Sequence, residues 1–567
     1  MRGMRATRIV AAAVPALLLA TAPAHAQVSE ARLKELIKQA ADAANQPINF
    51  SEPQKVNTET AGPTVSMTLD EAVKLALDRN LDIRVQRLNP QLQDIALMSA
   101  KAFYTPSLTT AINQNSSVGT PSSQLQLSSG GRGITQDRTV YNAGVTQQVG
   151  WGGGTLAATL NNNRADSDSN NVLFNPQYNA NWQFVYTQPL LRDFKIDNTR
   201  RTITVTKVNR DISDIQLRAS MTNLVSNVKN AYWDYVFATL AVQVAQQSLE
   251  LADKLVTDNQ TRVEIGTMAP IDVVQAQAEQ ATRRQALVIA QNTKRTAELF
   301  LKRLIVSGTE DANWAATLDP VDRPDFQNDQ VDLEAAIRRA LAERTDVAIA
   351  KKNIENNSTS LKYLRDQALP IVDANVTYGL QGIGGTQILR SSSGTLGSQI
   401  IGTVPGGVND AFSSLFQNRY PSWTVGLNVT YPVGTSTQDA AVARARIQLN
   451  QVEAQVKQIE LQVATEVTNS AINLRNTAES VQAAQAAREL SLRRLEAEQS
   501  KFEVGMSTNF QVVQAQRDLN DARNAELRAI LNYQKARVEF ERLQQTTLQQ
   551  TNITVVNVGG GAGGGGQ

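Results

Sequence analysis

The chain has 567 residues, of which 41% are hydrophobic and 19% are charged, and its formal net charge is +2. This balance does not indicate a nucleic-acid partner. There is no cysteine and only one histidine, His25, which excludes disulfide bonds, Cys-His or Ser-His-Asp catalysis and an ordinary zinc site in the mature protein. Paired carboxylates could still act, but no such pair stands out from the helical surface charge. We therefore expect neither an enzyme nor a bound metal ion or cofactor.

The first 26 residues have the pattern of a secretory signal peptide. Three arginines precede an apolar run at residues 9–20, and an Ala-His-Ala cleavage site ends at Ala26. Removing this segment takes away the three arginines and His25, which changes the formal net charge from +2 to −1. The apolar run is too short to span a bilayer, and no other stretch approaches the length that a spanning helix needs. We expect a mature chain that begins near Gln27 and lies in the cell envelope or outside the cell.

A polar segment, residues 27–66, precedes the first of two repeated units. Its three prolines predict an extended leader. The unit that begins at residues 67–87 recurs at residues 331–351. Both copies predict an amphipathic helix with an acid-rich first turn, capped by Thr68 in the first copy and by Asp332 in the second.

Each copy leaves its helices at a proline, Pro106 or Pro370, and continues with a period of two. In the second copy, alternate apolar residues run from Val372 to Leu380, with small or polar residues between them. A soluble sandwich gives the same alternation, but aromatic residues at strand ends opposite a small polar face favour a membrane barrel. We predict four strands per chain, which are too few to close a pore, so several chains would have to share one barrel. The predicted aromatic belt consists of Trp182, Phe184, Tyr186, Tyr378, Trp423 and Tyr431.

Long connections rich in Gly, Ser and Asn, residues 113–138 and 382–409, are predicted between the paired strands. The first copy is longer than the second, with 83 residues against 62 between its corresponding prolines. Part of the surplus, residues 142–163, could form an extra hairpin around its three consecutive glycines. The sequence leaves open whether this hairpin joins the barrel or stands above it.

The longest tracts, residues 197–262 and 437–504, contain no proline, and each predicts one helix of roughly 100 Å. Apolar positions recur at steps of three and four along the second tract, and alanines line part of this stripe. Each tract ends at a glycine, Gly266 or Gly505, that is followed by VVQAQ. A duplicated turn between long helical tracts is typical of two copies of one helical hairpin.

The repeats divide the sequence into five segments. Each repeat contains a helical opening, a pair of strands and a long helical hairpin. The predicted segments are a signal peptide (1–26), a polar extension (27–66), a first repeat (67–330), a second repeat (331–550) and a glycine-rich disordered tail (551–567).

Over about residues 65–550 these features resemble the TolC-like outer-membrane efflux family. The resemblance rests on the duplicated L-x-x-A-x-x-x-A-L opening, on TQPLL and TYPVG where strands meet helices, on WTVGLNVTYPVG, and on IG or VG turns before VVQAQ. It implies a mainly α-helical fold with membrane β structure. Three identical chains would form a periplasmic α-barrel from their coiled-coil hairpins, and four strands per chain would form a shared twelve-stranded barrel in the outer membrane. Shorter helices would stack end to end beside each long one, and Pro90 should bend the first of them.

The resemblance also implies a passive export duct. An inner-membrane transporter and a periplasmic adaptor (membrane fusion) protein would supply energy and selectivity, and the homotrimer would conduct small molecules or proteins across the outer-membrane lipid. Adaptors would dock at the hairpin tips, where Gly266 and Gly505 are expected to have positive φ. The alternative is that these glycines only end their helices. The predicted docking residues are Gly266, Thr267, Gly505 and Met506.

The entrance constriction of the family gives a second set of candidates, Gln511, Gln514, Asp272, Phe502 and Ser507. Well-characterised relatives carry aspartates at the positions of Gln511 and Gln514. The arginine and the tyrosine that reach towards the equivalent of Asp272 are replaced here by Ser507 and Phe502. We hypothesise a neutral entrance ring, less cation-selective and more weakly latched than an aspartate ring. The alternative is that these glutamines are only helix-favouring surface residues and that other contacts close the tunnel.

Two other classes of protein compete with this interpretation. A periplasmic adaptor also has a signal peptide and long helical hairpins, but it uses one hairpin rather than two complete copies of a helix–strand–hairpin unit. A structural coiled-coil filament or adhesin would explain the Ala- and Gln-rich helices but not the alternating strands with tryptophan at their ends. The cargo stays open, because its selection would lie in partners outside this chain.

Overall fold

A computed structural model of the chain describes residues 63–120, 133–169, 172–266, 268–324, 326, 331–391, 399–431, 433–434 and 436–547. The predicted signal peptide, most of the polar extension and the glycine-rich tail lie outside the described residues. The helices are α1 (Leu69–Arg79), α2 (Leu81–Gln86), α3 (Leu88–Ala102), α4 (Asn198–Glu264), α5 (Pro270–Ile305), α6 (Ala312–Ala315), α7 (Leu333–Glu343), α8 (Thr345–Gln367), α9 (Val408–Phe416), α10 (Thr437–Glu503) and α11 (Asn509–Leu543). The strands are β1 (Thr64–Met67), β2 (Ser107–Val118), β3 (Thr135–Gln148), β4 (Thr155–Ser167), β5 (Phe174–Pro189), β6 (Thr317–Pro320), β7 (Ile371–Arg390), β8 (Ile400–Val404) and β9 (Tyr420–Thr430).

Two very long helices dominate the fold and confirm the predicted helical hairpins. Helices α4 and α10 have 67 residues each, which corresponds to about 100 Å. The chain turns back after each of them, so that α5 packs on α4 and α11 packs on α10. The apolar stripe predicted on α10 is the side that packs inward. Its buried residues include Val456, Val463, Val467, Ala471, Leu474, Ala478 and Val481. Among the described residues, no helix has both the length and the apolar character needed to cross a membrane.

The short helices begin and break where the sequence predicts. Thr68 and Glu71 form a reciprocal capping box at the start of α1, and Asp332 accepts a hydrogen bond from the Ala335 N–H at the start of α7. The first copy is interrupted between α2 and α3, three residues before Pro90. The corresponding helix of the second copy, α8, runs unbroken for 23 residues. Pro90 therefore has the predicted local effect.

A small parallel sheet of β1 and β6 lies against the middle of α4. Two buried tyrosines of α4 hold it in place. The Tyr232 hydroxyl lies 3.0 Å from the carbonyl oxygen of Met67 and 2.8 Å from Asp322 Oδ2, and the Tyr235 hydroxyl donates to the carbonyl of Leu318. The last residues of the predicted extended leader thus pair as a strand, which the sequence pattern did not indicate.

The remaining strands form one antiparallel sheet in the order β2-β3-β4-β5-β7-β9, and short β8 pairs with the far end of β7. All four predicted strand segments are strands, and β2 and β7 begin directly after Pro106 and Pro370. One chain nevertheless supplies more than four strands, because residues 142–163 form most of the β3–β4 hairpin. That hairpin pairs along most of its length with β2 on one side and β5 on the other.

The predicted connections are shorter than expected, since β2, β3 and β7 extend into them. Much of residues 382–409 is strand, and it leads into helix α9, which packs on β7. This packing depends on glycine: a Cβ on Gly382 would lie 2.1 Å from the carbonyl oxygen of Ala411, and one on Gly384 would lie 2.5 Å from the amide nitrogen of the same residue. The glycines that predict a loop therefore make room for a helix.

We call the end of the sheet where β5 leads into α4 the junction end. The turn between β3 and β4, residues 149–154, is fixed there. Gln188 Nε2 donates to the Gly152 carbonyl at 2.7 Å, and Gly153 has φ +68° with its Cα against the carbonyl of Asp193. Arg200 donates to that same carbonyl at 2.6 Å. The hairpin turn is thus built into the strand-to-helix connection.

Replacing Gly153 with alanine should loosen this turn. A Cβ there would lie 2.5 Å from the Asp193 carbonyl oxygen and would require a non-glycine residue at φ +68°, so we expect a local cost of about 1–3 kcal/mol. The peptide covering residues 149–155 should exchange its amide hydrogens at least about tenfold faster in mass spectrometry.

The matched control is Gly150→Ala, where no described atom lies within 4 Å of the added Cβ. It should exchange like the wild type. Equal exchange in both variants would show that the contact with Asp193 does not hold the turn.

Candidate functional site: the hairpin tips and the faces of the sheet

Both hairpins turn at a glycine in the left-handed region, as predicted. Gly266 has φ +78° and Gly505 has φ +79°, which only glycine adopts at little cost. Among the described residues nothing lies within 4 Å of a Cβ placed on either glycine, so the backbone conformation and not packing requires them. Met506 is 79% exposed at the second tip. Thr267, predicted at the first tip, lies outside the described residues.

Two of the candidate entrance residues lie together at the start of α11. Gln511 closes a capping box with Thr508: its Oε1 accepts the Thr508 N–H at 3.0 Å. Ser507 Oγ lies 2.9 Å from the same Oε1 and 2.7 Å from the carboxylate of Glu498 on α10. The amide of Gln511 is thus held against its own helix end.

Gln514 lies one turn farther along α11, where its Nε2 donates to Asp518 at 2.8 Å. Asp518 also pairs with Arg494 of α10 at 2.8 Å. Asp272 lies on the other hairpin, half-buried in the first turn of α5. It meets the second hairpin through its backbone, because its carbonyl lies 3.5 Å from Asn509 Nδ2.

Phe502, the last of the candidate residues, is in contact with a positively charged side chain that was not predicted from the sequence. The guanidinium carbon of Arg262, at the end of α4, lies 4.4 Å from the centre of the Phe502 ring at the end of α10. This distance is typical of a cation–π interaction. A positive charge therefore does reach the second tip, but it comes from the first hairpin and not from the position of Ser507.

The two hairpins of one chain meet along a seam between α4 and α11, where polar pairs accompany an apolar cluster of Leu255, Val256 and Val513. Asn259 and Asn509 are buried and joined by a 3.1 Å hydrogen bond, and the Oδ1 of Asn259 accepts no hydrogen bond from the described residues. Within the second hairpin, by contrast, α10 and α11 share apolar clusters. Polar pairs across the seam include Lys229–Glu541 (3.0 Å), Ser248–Asn520 (2.6 Å) and Asn259–Asn509 (3.1 Å).

A buried carboxylate on α5 reinforces this seam near the tips. Glu279 is 4% exposed and lies 2.6 Å from Arg283 on its own helix and 2.6 Å from Arg517 on α11. Burial by itself would raise the pKa of Glu279, but the hydrogen bonds and charges of the two guanidiniums outweigh it and hold the pKa below 4.5. The carboxylate is therefore ionised at neutral pH and links the two hairpins.

The large sheet has one apolar face and one polar face. On the apolar face, a single row of paired residues crosses all six long strands. The row is Leu108, Val145, Ala158, Phe184, Tyr378 and Trp423. The opposite face carries mainly asparagine, threonine, serine, glutamine and glycine. The large residues of the apolar face are mostly exposed, and Trp423 is 75% exposed.

The predicted aromatic belt residues within the strands lie on this apolar face at different levels, and Tyr431 directly follows the end of β9. Phe184, Tyr378 and Trp423 share one row, whereas Tyr186 and Tyr431 lie nearer the junction end. Trp182 lies beyond that row and packs edge-on against Phe412 and Phe416 of α9, with ring centres 6.2 and 5.4 Å apart. Helix α9 thus covers the apolar face beyond the aromatic row.

No enzyme-like site emerges from the region of the chain that the structure describes. No group of three or more His, Cys, Asp or Glu side chains there is placed to hold a metal ion. A cleft of about 110 Å³ lies between α4, α5 and α11, with alanines as half of its lining residues, and a groove of about 340 Å³ lies between α10 and α11. The cleft is smaller than the usual ligand pocket, and the groove is lined mainly by polar side chains, whereas ligand pockets are mainly apolar.

Replacing Glu279 with glutamine should weaken the seam near the tips. The substitution removes the charge that Arg283 and Arg517 share, so we expect a loss on the order of 2 kcal/mol. Amides of α11 from residue 509 to residue 520 should then exchange roughly thirtyfold faster in hydrogen-exchange mass spectrometry.

Glu489→Gln is the matched control, because Glu489 forms an exposed ion pair with Arg493 at 2.5 Å. It should change exchange by less than threefold. The pH dependence of exchange in the wild type gives an independent check on the contribution of Glu279. Since the pKa of Glu279 is lowered in the folded state, its contribution is present above about pH 4.5 and is lost as the pH falls below that value. Exchange in the control as fast as in Glu279→Gln would contradict a special role for Glu279.

Comparison with known proteins agrees with this architecture. The family model described as outer membrane efflux protein matches residues 153–306 and 336–544. Three solved structures share the fold: a membrane protein from Pseudomonas aeruginosa (16% identity, 84% of this chain and 90% of that chain, TM-score 0.60), the CmeC outer membrane channel of Campylobacter jejuni (14%, 84% and 85%, 0.57) and the open MtrE outer membrane channel of Neisseria gonorrhoeae (15%, 84% and 88%, 0.56). No curated protein matches the sequence. The resemblance seen in the sequence is confirmed, and the chain belongs to the outer membrane efflux protein family.

Proposed function

We propose that this protein is the outer-membrane exit duct of a tripartite export system, in which three copies passively conduct cargo from an inner-membrane transporter and a periplasmic adaptor to the exterior. Family membership supports the outer-membrane location and the efflux role. The observation that carries the proposal is a two-faced sheet joined at one end to two helical hairpins of about 100 Å. The exposed apolar face suits lipid, and the polar face suits a water-filled lumen.

The edges of the sheet support its closure by further copies of the chain. Within the described residues, the outer edges of β2 and β9 pair with no other strand, although a lipid-exposed edge would leave N–H and C=O groups without partners. The two edge strands run in opposite directions and have 12 and 11 residues. β9 of one copy can therefore pair antiparallel with β2 of the next. If the strand ends are flush at the junction end, Ser107 faces Thr430 and Thr110 faces Leu427.

The hairpin tips support docking of a periplasmic adaptor. Ile265 at the first tip and Val504, Met506 and Phe510 at the second are between 65% and 79% exposed. Exposed apolar side chains on a rigid turn are typical of protein-binding surfaces. The two complete hairpins and the extended sheet do not favour the alternative that this chain is itself an adaptor.

The first experiment is membrane fractionation, followed by light scattering of the mature protein in detergent. We expect an outer-membrane particle with the mass of three chains. Because the chain has no cysteine, the double variant Thr110→Cys/Leu427→Cys can report strand contact between copies. Mild oxidation should give covalent dimers and trimers on a denaturing gel.

The control variant, Thr110→Cys/Asn428→Cys, places the two thiols on opposite faces of the sheet and should not cross-link. A soluble particle, or a membrane particle whose mass does not correspond to three chains, would overturn the proposed duct. Cross-linking in both variants would contradict the proposed edge register.

At the entrance we propose a neutral ring that contains Gln511 and Gln514. Amides cannot attract cations as a ring of carboxylates does. Millimolar trivalent cations should therefore block the wild-type channel weakly in planar-bilayer recordings, and a Gln511→Asp/Gln514→Asp variant should be blocked at a concentration at least about tenfold lower.

Gln482→Asp/Gln485→Asp is the matched control, with the same spacing on α10 but several turns from the tip. It should keep the wild-type sensitivity. Strong block of the wild type, comparable to that of the Gln511→Asp/Gln514→Asp variant, would show that these glutamines do not set ion preference.

A further inference from the structure

We propose that the β3–β4 hairpin belongs to the membrane wall, so that each chain contributes six long strands to the barrel. Three copies then close an eighteen-stranded barrel instead of the twelve-stranded barrel that four strands per chain would give. This inference rests on the proposed function, since the ring is made by three copies. It goes beyond that function by giving the width of the exit in the membrane.

The apolar face continues across the hairpin without interruption. Val145 of β3 and Ala158 of β4 lie in the same row as Leu108 on one side and Phe184 on the other. On the neighbouring positions of β4, Leu156 and Leu160 are also apolar, whereas Thr155, Ala157, Thr159 and Asn161 occupy the other face. A hairpin that stood in water above the barrel would not need one apolar face and one polar face.

The apolar stretch also shifts along the strands in the way that tilted strands require. On β9 it runs from the shared row towards the junction end, from Trp423 to Val429, and on β2 it runs from that row away from the junction end, from Leu108 to Ile112. The centres of the two stretches are about five residues apart, or about 17 Å along the strands, across five strand spacings of about 4.8 Å. The ratio of the distance along the strands to the distance across them gives a strand tilt of about 35°, as in membrane barrels.

The hairpin strands follow the same shift. On β5 and β4 the apolar stretch is centred near the shared row, at Trp182–Tyr186 and Leu156–Leu160. On β3 it has moved away from the junction end, to Tyr141–Val145. A membrane of constant thickness around tilted strands produces such a progression, and β3 and β4 fit it as well as the four strands predicted from sequence.

The closed end of the hairpin excludes a projecting arrangement. Its turn lies at the junction end, where buried Gln188 donates to the Gly152 carbonyl at 2.7 Å. Thr155 pairs with Thr187, and Ala165, near the other end of β4, pairs with Gln177. The hairpin therefore spans the height of the sheet and cannot rise above it without breaking this pairing.

The strand number sets the width of the exit. With strands about 4.8 Å apart and tilted by about 35°, eighteen strands give a backbone diameter of about 34 Å, against about 22 Å for twelve. The exit in the membrane is then wider than a twelve-stranded barrel allows. Any selection by size must take place in the helical region.

Cysteine variants of the full mature chain test whether β4 lines the wall. Ala157→Cys and Ala158→Cys are adjacent, chemically identical changes on opposite faces of β4. Each is labelled with bimane and reconstituted in phosphatidylcholine vesicles. Brominated lipid should quench the label at residue 158 at least about threefold more than the label at residue 157, and aqueous iodide should show the reverse order. Thr424→Cys and Val425→Cys provide the same comparison on β9.

The outcomes distinguish this inference from the proposed function. If the β9 pair alternates but both β4 labels respond equally to iodide, the hairpin lies outside the wall and only the six-strand inference is overturned. If neither pair alternates, both the inference and the proposed duct are overturned. Electron cryomicroscopy of the particle gives a second readout: a ring about 34 Å wide with eighteen strands supports the inference, and a twelve-stranded ring rejects it.

Discussion

Backbone hydrogen bonding in the sheet is the constraint on which the rest of this structure depends. A strand that faces lipid has no water to satisfy its N–H and C=O groups, so every strand needs a neighbour on both sides. Inside one chain the six long strands satisfy one another, and the outer edges of β2 and β9 stay open. In the duct that we propose, further copies of the chain close these two edges. The long helices α4 and α10 follow β5 and β9 along the chain, so the sheet sets where these two helices begin.

The hairpins are held together by two kinds of contact with different physical consequences. Within the second hairpin, α10 and α11 share buried Leu, Val and Ala side chains, which separate only if apolar surface becomes exposed to water. Between the hairpins of one chain, a smaller apolar cluster around Val513 of α11 is accompanied by hydrogen bonds and ion pairs, such as Asn259–Asn509 and Glu279–Arg517. Water can replace such partners at a smaller net cost.

Features with a local chemical signal could be predicted from the sequence. Gly266 and Gly505 mark the turns because only glycine adopts their φ readily, Pro106 and Pro370 mark the strand starts, and Thr68 marks a helix cap. The strands β3 and β4 were harder to assign because alanine, asparagine and threonine alternate only weakly in polarity. The seam residues were not predicted, since a buried asparagine looks like any other in a helix rich in Asn and Gln. Arg262 was missed because its partner, Phe502, lies 240 residues away.

The β3–β4 hairpin also changes the symmetry of the molecule. The two repeats supply nearly equivalent helical hairpins, so a tunnel made by three copies would repeat almost six times around its axis. The strands are divided unequally, with four long strands from the first repeat and two from the second, so the wall of the proposed barrel would repeat only three times. This mismatch has to be absorbed where strand passes into helix. The first repeat has a dense polar network there, in which Asp193 adopts a positive φ and meets Arg200, Asp366 and Gln367.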